Sequence, residues 1–309
     1  MLNLFKKTNP FKDIDQAQVN DKPVKNLIID NFFENQFLKD ILDNFPEIKG
    51  NNDLRGNNNF FLLSELNSLG DTKRQFWNYF INNYLPIILR KLINKFSSQI
   101  IKKFENLILN QDEIILGTLM LSQNAQDERD FNAHYHYNID PLWFLTILIY
   151  LEDENNNSPG TKFYTNKDLN NEEYINKLID FNSVRTNKDI DYFDQRKQLD
   201  ELLSNFNKTT IEFKPNRLFC FYDDFNAIHS VEYDNTSSVN RKIFRASIGF
   251  DRNKCELIYG LKIDDFNKIF NSTLKNKDKI YKIFSDEISM YSKKIDQSKD
   301  LINSINIKI

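Results

Sequence analysis

Apolar positions along the chain change their spacing twice, which divides it into three parts. A polar lead-in over residues 1–24 is followed by Asn26–Asp30 (NLIID), which reads as a strand. Phe37, Leu38, Ile41, Leu42 and Phe45 then recur three and four residues apart, predicting a helix from Asn35 to Phe45 that Pro46 stops. Gly50–Asn59 is Asn-rich and reads as a loop. Asp71–Phe96 is a longer helical stretch with Phe76, Phe80, Tyr84, Ile87, Ile88 and Leu92 on one face. Pro86 within it predicts a kink or the start of a second helix, because proline has no amide hydrogen for the preceding turn.

Near Ile114 the period drops from 3.6 to 2. Ile114–Ser122, Phe144–Leu151, Thr161–Thr165, Thr209–Phe213, Arg217–Tyr222 and Ile243–Phe250 read as strands. The charged insertion 166–208 carries a predicted helix over Gln195–Phe206. A structureless connection of that length is unusual inside a domain, so the insertion is expected to be a small subdomain or a cover over a site. After Asp251 the helical spacing returns, at Phe266, Ile269, Phe270, Ile280, Ile283, Phe284 and Met290. The expected organisation is α+β: a lead-in over 1–24, one domain over 25–252 and a helical tail over 253–309. The tail's apolar face is expected to pack on its own domain or on a second copy, giving a homo-oligomer.

Composition narrows the function classes. The 309 residues carry 41 Lys+Arg against 44 Asp+Glu, a net charge of −3, which argues against a duplex nucleic-acid footprint. No apolar run approaches the roughly 18 residues of a membrane span, and the N-terminus lacks the apolar stretch of a secretory signal. The two cysteines, Cys220 and Cys255, cannot form a disulfide framework and fit a reducing, cytoplasmic setting. The expected partner is a small molecule or a peptide, not a membrane.

Histidine is the informative residue, because there are only 3. His134 and His136 lie two apart in FNAHYHYNIDPLWFLTILIYLEDE, and on an extended segment residues i and i+2 share a face. His229 lies far downstream, just past a strand, in NRLFCFYDDFNAIHSVEYD. One close pair and one distant strand residue is how a β-barrel supplies three ligands on one face of a mononuclear iron, with open positions opposite. Asp140 is the reserve ligand, but four extended residues span about 13 Å, so it reaches the same ion only through a turn at Asp140-Pro141. No Ser-His-acid arrangement, Gly-rich phosphate loop or cysteine-based zinc spacing competes with this reading.

In these segments the sequence resembles the iron(II)- and 2-oxoglutarate-dependent oxygenases, in the prolyl-hydroxylase-like branch of the double-stranded β-helix fold. The resemblance spans about Val24 to Asp251. VKNLIIDNFFENQFLKDILDNFP is similar to the strand-helix opening of that group, and FNAHYHY with LTILIYLEDE to its histidine-x-acid segment and next core strand. PGTKFY is similar to the Gly-containing strand that follows. KPNRLFCFYDDFNAIHSV and RKIFRASIGF are similar to the distal-histidine and arginine segments. The resemblance implies a distorted double-stranded β-helix core with N-terminal supporting helices. It also implies Fe(II), the cosubstrate 2-oxoglutarate and O2, with hydroxylation of an unidentified substrate coupled to decarboxylation of the cosubstrate to succinate.

The family places a carboxylate two residues after its first histidine, and this chain does not. With His134 as first ligand the acid position holds His136, which gives a three-histidine site; the Phe131 three residues upstream favours this phase. With His136 first, the position holds Asn138, and the spacing to Tyr150 favours that one. The cosubstrate carboxylate needs an arginine fork. Arg241, Arg245 and Ser247 share one parity, and Arg245-x-Ser247 is the pattern of many family members, so Arg245 is the expected anchor, with Arg241 as the alternative and Tyr150 as a supporting hydroxyl. The missing carboxylate also leaves two other readings: a non-catalytic binding module, or a three-histidine iron dioxygenase that needs no 2-oxoglutarate.

Overall fold

The computed structural model describes residues 9–48, 51–53, 56–58, 60–99, 114–123, 134–135, 143–153, 160–165, 180, 184, 189–223, 227–230 and 241–250. The first strands are β1 (Val19–Asn20) and β2 (Asn26–Asp30), antiparallel to each other. Upstream of them, Phe11 and Ile14 are buried in the main core, and Phe11 bridges Phe33. Residues 9–24 are therefore tied to the body of the fold. Helix α1 (Asn35–Asp43) buries Phe37 and Ile41 and ends before Pro46, as its spacing predicts.

The segment expected as a loop over 50–59 instead contains a short hairpin, β3 (Asn51–Asp53) with β4 (Gly56–Asn58). Strand β5 (Phe60–Leu62) follows. Helix α2 (Asp71–Tyr79) passes through one π-turn, Phe80–Tyr84, into helix α3 (Leu85–Lys95), which has Pro86 in its first turn. The break lies where proline forces it, since Pro86 can offer no hydrogen bond to the turn before it. On the exposed side, the Asn82 and Asn83 amides donate back to the carbonyls of Asn78 and Tyr79.

The centre of the chain is antiparallel. Its strands are β6 (Ile114–Gln123), β7 (His134–Tyr135), β8 (Trp143–Asp153), β9 (Thr161–Thr165), β10 (Asn207–Ile211), β11 (Arg217–Tyr222), β12 (Ile228–Ser230) and β13 (Arg241–Phe250), with helix α4 (Tyr192–Leu202) between β9 and β10. A larger sheet has the order β1-β2-β11-β8-β13-β6-β5, and a smaller one the order β10-β9-β12-β7. From β6 onward the chain passes back and forth between the two sheets, with β6, β8, β11 and β13 in the larger and β7, β9, β10 and β12 in the smaller. Every strand pairing among the described residues is antiparallel. The α+β expectation holds at this level: helices and antiparallel sheets in one fold.

Two cores lie on the two faces of the larger sheet. On one face Leu145, Ile147, Ile149, Leu218, Cys220, Phe244 and Ala246 pack with the helical residues Phe76, Trp77, Phe80 and Leu89. On the other, Tyr150, Phe219, Phe221 and Ile243 pack with Phe163 of the smaller sheet and with Phe213. Burial on both faces is why LFCFY is apolar without alternation; all of β11 is buried. Strand β10 begins two residues before its expected start, which frees Phe213 to enter the core between the sheets. Gly160, of the PGTKFY segment, sits where a Cβ would lie 1.8 Å from the Ile211 carbonyl oxygen, so β9 and β10 meet there only through glycine. The tail 253–309 lies outside the described residues.

One clamp joins residues 183 positions apart in the chain. Asn216 has φ of 60°, its amide donates to the Phe33 carbonyl at 2.8 Å, and its Oδ1 accepts from the Phe33 amide at 2.8 Å. Asn216→Ala should lower stability by about 2–3 kcal/mol, from two buried hydrogen bonds of about 1 kcal/mol each and the left-handed backbone penalty of alanine. Asn216→Gly should recover roughly 1 kcal/mol of that loss, read from urea midpoints; equal losses in both variants would assign the whole effect to the side chain.

Candidate functional site

His229 is 5 % exposed and sits in the middle of β12. Its register partners are His134 on β7 and Phe163 on β9. Directly opposed residues of an antiparallel pair lie about 4.5–5.5 Å apart at Cα. Two of the three sequence-predicted ligands therefore occupy facing positions of one ladder, although the chain places them far apart. The His229 ring packs against Phe221 at 5.1 Å between centroids and Phe163 at 5.7 Å. Its Nδ1 lies 2.7 Å from the Ala227 carbonyl oxygen. A carbonyl only accepts, so Nδ1 donates, and the neutral ring carries its lone pair on Nε2. Metal-binding histidines have this geometry, one nitrogen held by the backbone and the other turned to the ion.

His136, Asn138 and Asp140 lie outside the described residues. Among the described residues no group of three or more His, Cys, Asp or Glu could hold a metal ion.

Strand β13 presents its residues to two environments. Phe244, Ala246 and Ile248 belong to the core under the helices, whereas Ile243 belongs to the core between the sheets. Arg241, Arg245 and Ser247 share the parity of Ile243, as the sequence predicts, but their depths differ. Arg241 is 4 % exposed, and its guanidinium carbon lies 5.8 Å from the centroid of Phe213. Tyr150 stacks on the same Phe213 ring at 4.4 Å and is hydrogen-bonded through its hydroxyl to Thr161 Oγ1 at 2.7 Å. Arg241 and Tyr150 are thus buried polar groups on one aromatic ring, with the buried Thr161 hydroxyl bonded to the second of them. Arg245 and Ser247 are half-buried, and Arg245 lies opposite Leu148 on β8 and Met120 on β6.

Electrostatics follow burial. The Tyr150 hydroxyl is pushed above its ordinary value of 10.0 by desolvation; the Thr161 hydrogen bond and the positive charges of Arg241 and Arg217 oppose this. Arg217 is committed elsewhere, to a two-pronged pair with Asp30 and to the Glu212 carbonyl at 2.7 Å. That pair holds the Asp30 carboxyl below its usual range. The sequence reading missed two further buried residues. Asp223, 1 % exposed, accepts from the Thr146 hydroxyl at 2.9 Å, and Thr146 is itself 1 % exposed. The available signal was an acid directly after the apolar run Leu218–Tyr222 and six residues before His229.

No protein-family model matches the chain. No curated protein matches it either. Among solved structures it is similar to the epimerase SnoN in complex with Fe3+, alpha ketoglutarate and nogalamycin RO, at 12 % identity over 73 % of this chain and 78 % of that one, with a TM-score of 0.42. It is similar to a prolyl 4-hydroxylase from Phytophthora capsici at 11 % identity, over 89 % of this chain and 83 % of that one, with a TM-score of 0.40. A third is HygX from Streptomyces hygroscopicus with nickel and 2-oxoglutarate bound, at 10 % identity over 74 % of this chain and 83 % of that one, with a TM-score of 0.37.

Tyr150→Phe should cost about 1 kcal/mol at pH 7, the net worth of the Thr161 hydrogen bond. The sign changes in alkali. Tyr150 ionises near its ordinary value of 10.0 when unfolded and above it when folded, so the wild type loses stability as pH rises past 10.0. The variant lacks that loss, and the stability gap should narrow between pH 9 and 11 in urea titrations (a span of about two units around the ordinary value). A constant gap would show that the hydroxyl titrates alike in both states.

Proposed function

We propose that the chain is an Fe(II)- and 2-oxoglutarate-dependent oxygenase, most simply a hydroxylase, built on a distorted double-stranded β-helix. The observation that carries the reading is the opposition of His134 and His229 across β7 and β12, with His229 held by the Ala227 carbonyl so that Nε2 bears the lone pair. The back-and-forth passage of β6 to β13 between two antiparallel sheets supports the fold, since jelly-roll folds have this alternation. The resemblance of the sequence segments supplies the reaction class.

In this reading His134, His136 and His229 hold the iron, with Asp140 in reserve. Iron bound with 2-oxoglutarate and O2 supplies the oxidising chemistry, which converts the cosubstrate to succinate and CO2 and adds oxygen to the substrate. The chain's own task is to orient and to exclude water. Phe163, Phe219 and Phe221 line the space between the sheets next to His229. For the cosubstrate carboxylate, depth favours Arg241 over the Arg245 expected from the Arg-x-Ser pattern. Arg241 is buried and shares the Phe213 ring with Tyr150, whose hydroxyl can add a hydrogen bond to the same anion, whereas Arg245 is half-buried opposite Leu148 and Met120. The insertion 166–208 is the proposed substrate cover, and the substrate is a small molecule or a peptide. A reducing, cytoplasmic setting fits the buried Cys220 thiol; among the described residues no helix is long and apolar enough to cross a membrane.

Anaerobic titration with Fe(II) and 2-oxoglutarate tests the reading. A weak visible charge-transfer band should need both additions and vanish in His229→Ala. Breaking a shielded arginine–carboxylate pair from one side costs about 3–5 kcal/mol, so Arg241→Ala should raise the half-saturating 2-oxoglutarate concentration by roughly two to three powers of ten. Arg245→Ala should stay near wild type. The reverse pattern moves the anchor back to Arg245. Iron binding without any 2-oxoglutarate response would favour the three-histidine dioxygenase that the missing carboxylate also allows, and no iron binding would favour a non-catalytic module.

A further inference from the structure

We propose that Asp223 is a positioning residue for His229, acting with Thr146 to fix the crossing from β11 to β12 and so the direction of Nε2. The inference rests on the reading of His229 as a metal ligand. Strand β11 ends at Tyr222, yet the Asp223 amide still donates to the Phe144 carbonyl at 3.0 Å, which extends the hold on β8 by one residue. The Asp223 carboxylate then takes the Thr146 hydroxyl with both oxygens, at 2.9 and 3.1 Å. Thr146 is the register partner of Phe221, so backbone and side chain pin the same end of the same strand pair.

Five residues later the chain is already in the other sheet, where Ile228 pairs with Tyr135 and Tyr164. Ala227, fully buried, lies between these fixed points, and its carbonyl receives the Nδ1 hydrogen of His229. Ala227 is four positions beyond Asp223, so at full extension it lies no more than about 13–14 Å from the held residue. Displacing Asp223 would shift the Ala227 carbonyl that follows it and tilt the imidazole, leaving the His229–His134 register intact. Partners that orient a ligating histidine typically matter about 10- to 100-fold in metal affinity.

The test is Co(II) binding by the full-length protein, followed through the visible band, whose shape reports coordination geometry. Thr146→Val keeps the side-chain shape and removes the hydroxyl, while Thr146→Ser keeps the hydroxyl; Asp223→Asn keeps an acceptor and Asp223→Ala does not. Thr146→Val and Asp223→Ala should weaken Co(II) binding about 10- to 100-fold and alter the band, whereas Thr146→Ser and Asp223→Asn should remain within about threefold. The double variant should bind no more weakly than Asp223→Ala alone. Thr146→Val carries the test where Asp223→Ala yields no folded protein. Thr146→Val and Asp223→Ala with wild-type affinity and band would overturn the positioning role and leave the metal reading intact. Equal losses in Thr146→Val and Thr146→Ser would also overturn it. A wild-type chain without a Co(II) band, or His229→Ala with the full band, would overturn both.

Discussion

Strands β11, β8 and β13 form the middle of the larger sheet and are covered on both faces, and most of the architecture answers to that double covering. A strand with two buried faces cannot spend alternate positions on solvent, so its sequence becomes a continuous apolar run; β11, buried throughout, shows this from Leu218 onward. One covering is helical: Phe80 of the π-turn meets Phe244 of β13 at 5.6 Å, and the Trp77 indole is satisfied by the Asn44 carbonyl at 2.9 Å. The other covering is the smaller sheet, with Phe163 edge-on to Phe221 at 5.1 Å. Removing either covering would expose one side of the same three strands. The helices and the smaller sheet are therefore joint conditions for one sheet, although they never need to touch each other.

The two coverings are not chemically equal. On the helical side the buried strand residues are mostly Leu, Ile, Phe and Ala. Between the sheets, Thr146, Thr161, His229 and Arg241 are buried among aromatic rings, and Tyr150 brings a hydroxyl. Burying a Leu or Phe side chain is worth about 1.5–3 kcal/mol, whereas a polar group that keeps a hydrogen bond nets about 1 kcal/mol. Stability alone would fill both faces with hydrocarbon. These departures from that rule face the space between the two sheets, the place where a site built on rigid strands would be expected.

Much of the fold was legible because long runs have one strong period. The strands at Asn26, Trp143, Thr161 and Arg217 and the break at Pro86 all follow from patterns several residues long. What escaped lacked such a pattern. The 51–58 hairpin has asparagine at four of its six strand positions and carries no apolar alternation. The lead-in is anchored by Phe11 and Ile14, single apolar residues in a polar stretch, and single residues have no period. For the site, parity placed Arg241 and Arg245 on one face, but depth along a strand depends on register with its neighbours. Arg241 falls opposite Asp153 near the end of β8 and Arg245 opposite Leu148 in its middle, and no spacing within the strand itself reveals that. Asp223 was hidden for a similar reason, since its partner Thr146 lies on another strand.

The histidine pairing also bears on the absent carboxylate. The ladder that joins β12 to β7 fixes His229 opposite His134 by backbone hydrogen bonds, so their proximity does not depend on a metal being present. What a third histidine changes is charge. Neutral imidazoles leave the two positive charges of a divalent ion uncompensated in a space of low dielectric, where isolated charge is expensive. On the proposed reading, the anion held by Arg241 supplies the compensation that an acidic ligand would otherwise give. Metal and cosubstrate then stabilise each other, and because coupling between two binding sites is reciprocal, each must tighten the other by the same factor. A site with a carboxylate ligand would have less need of this coupling, which makes its size a measure of how far the third histidine has replaced the acid.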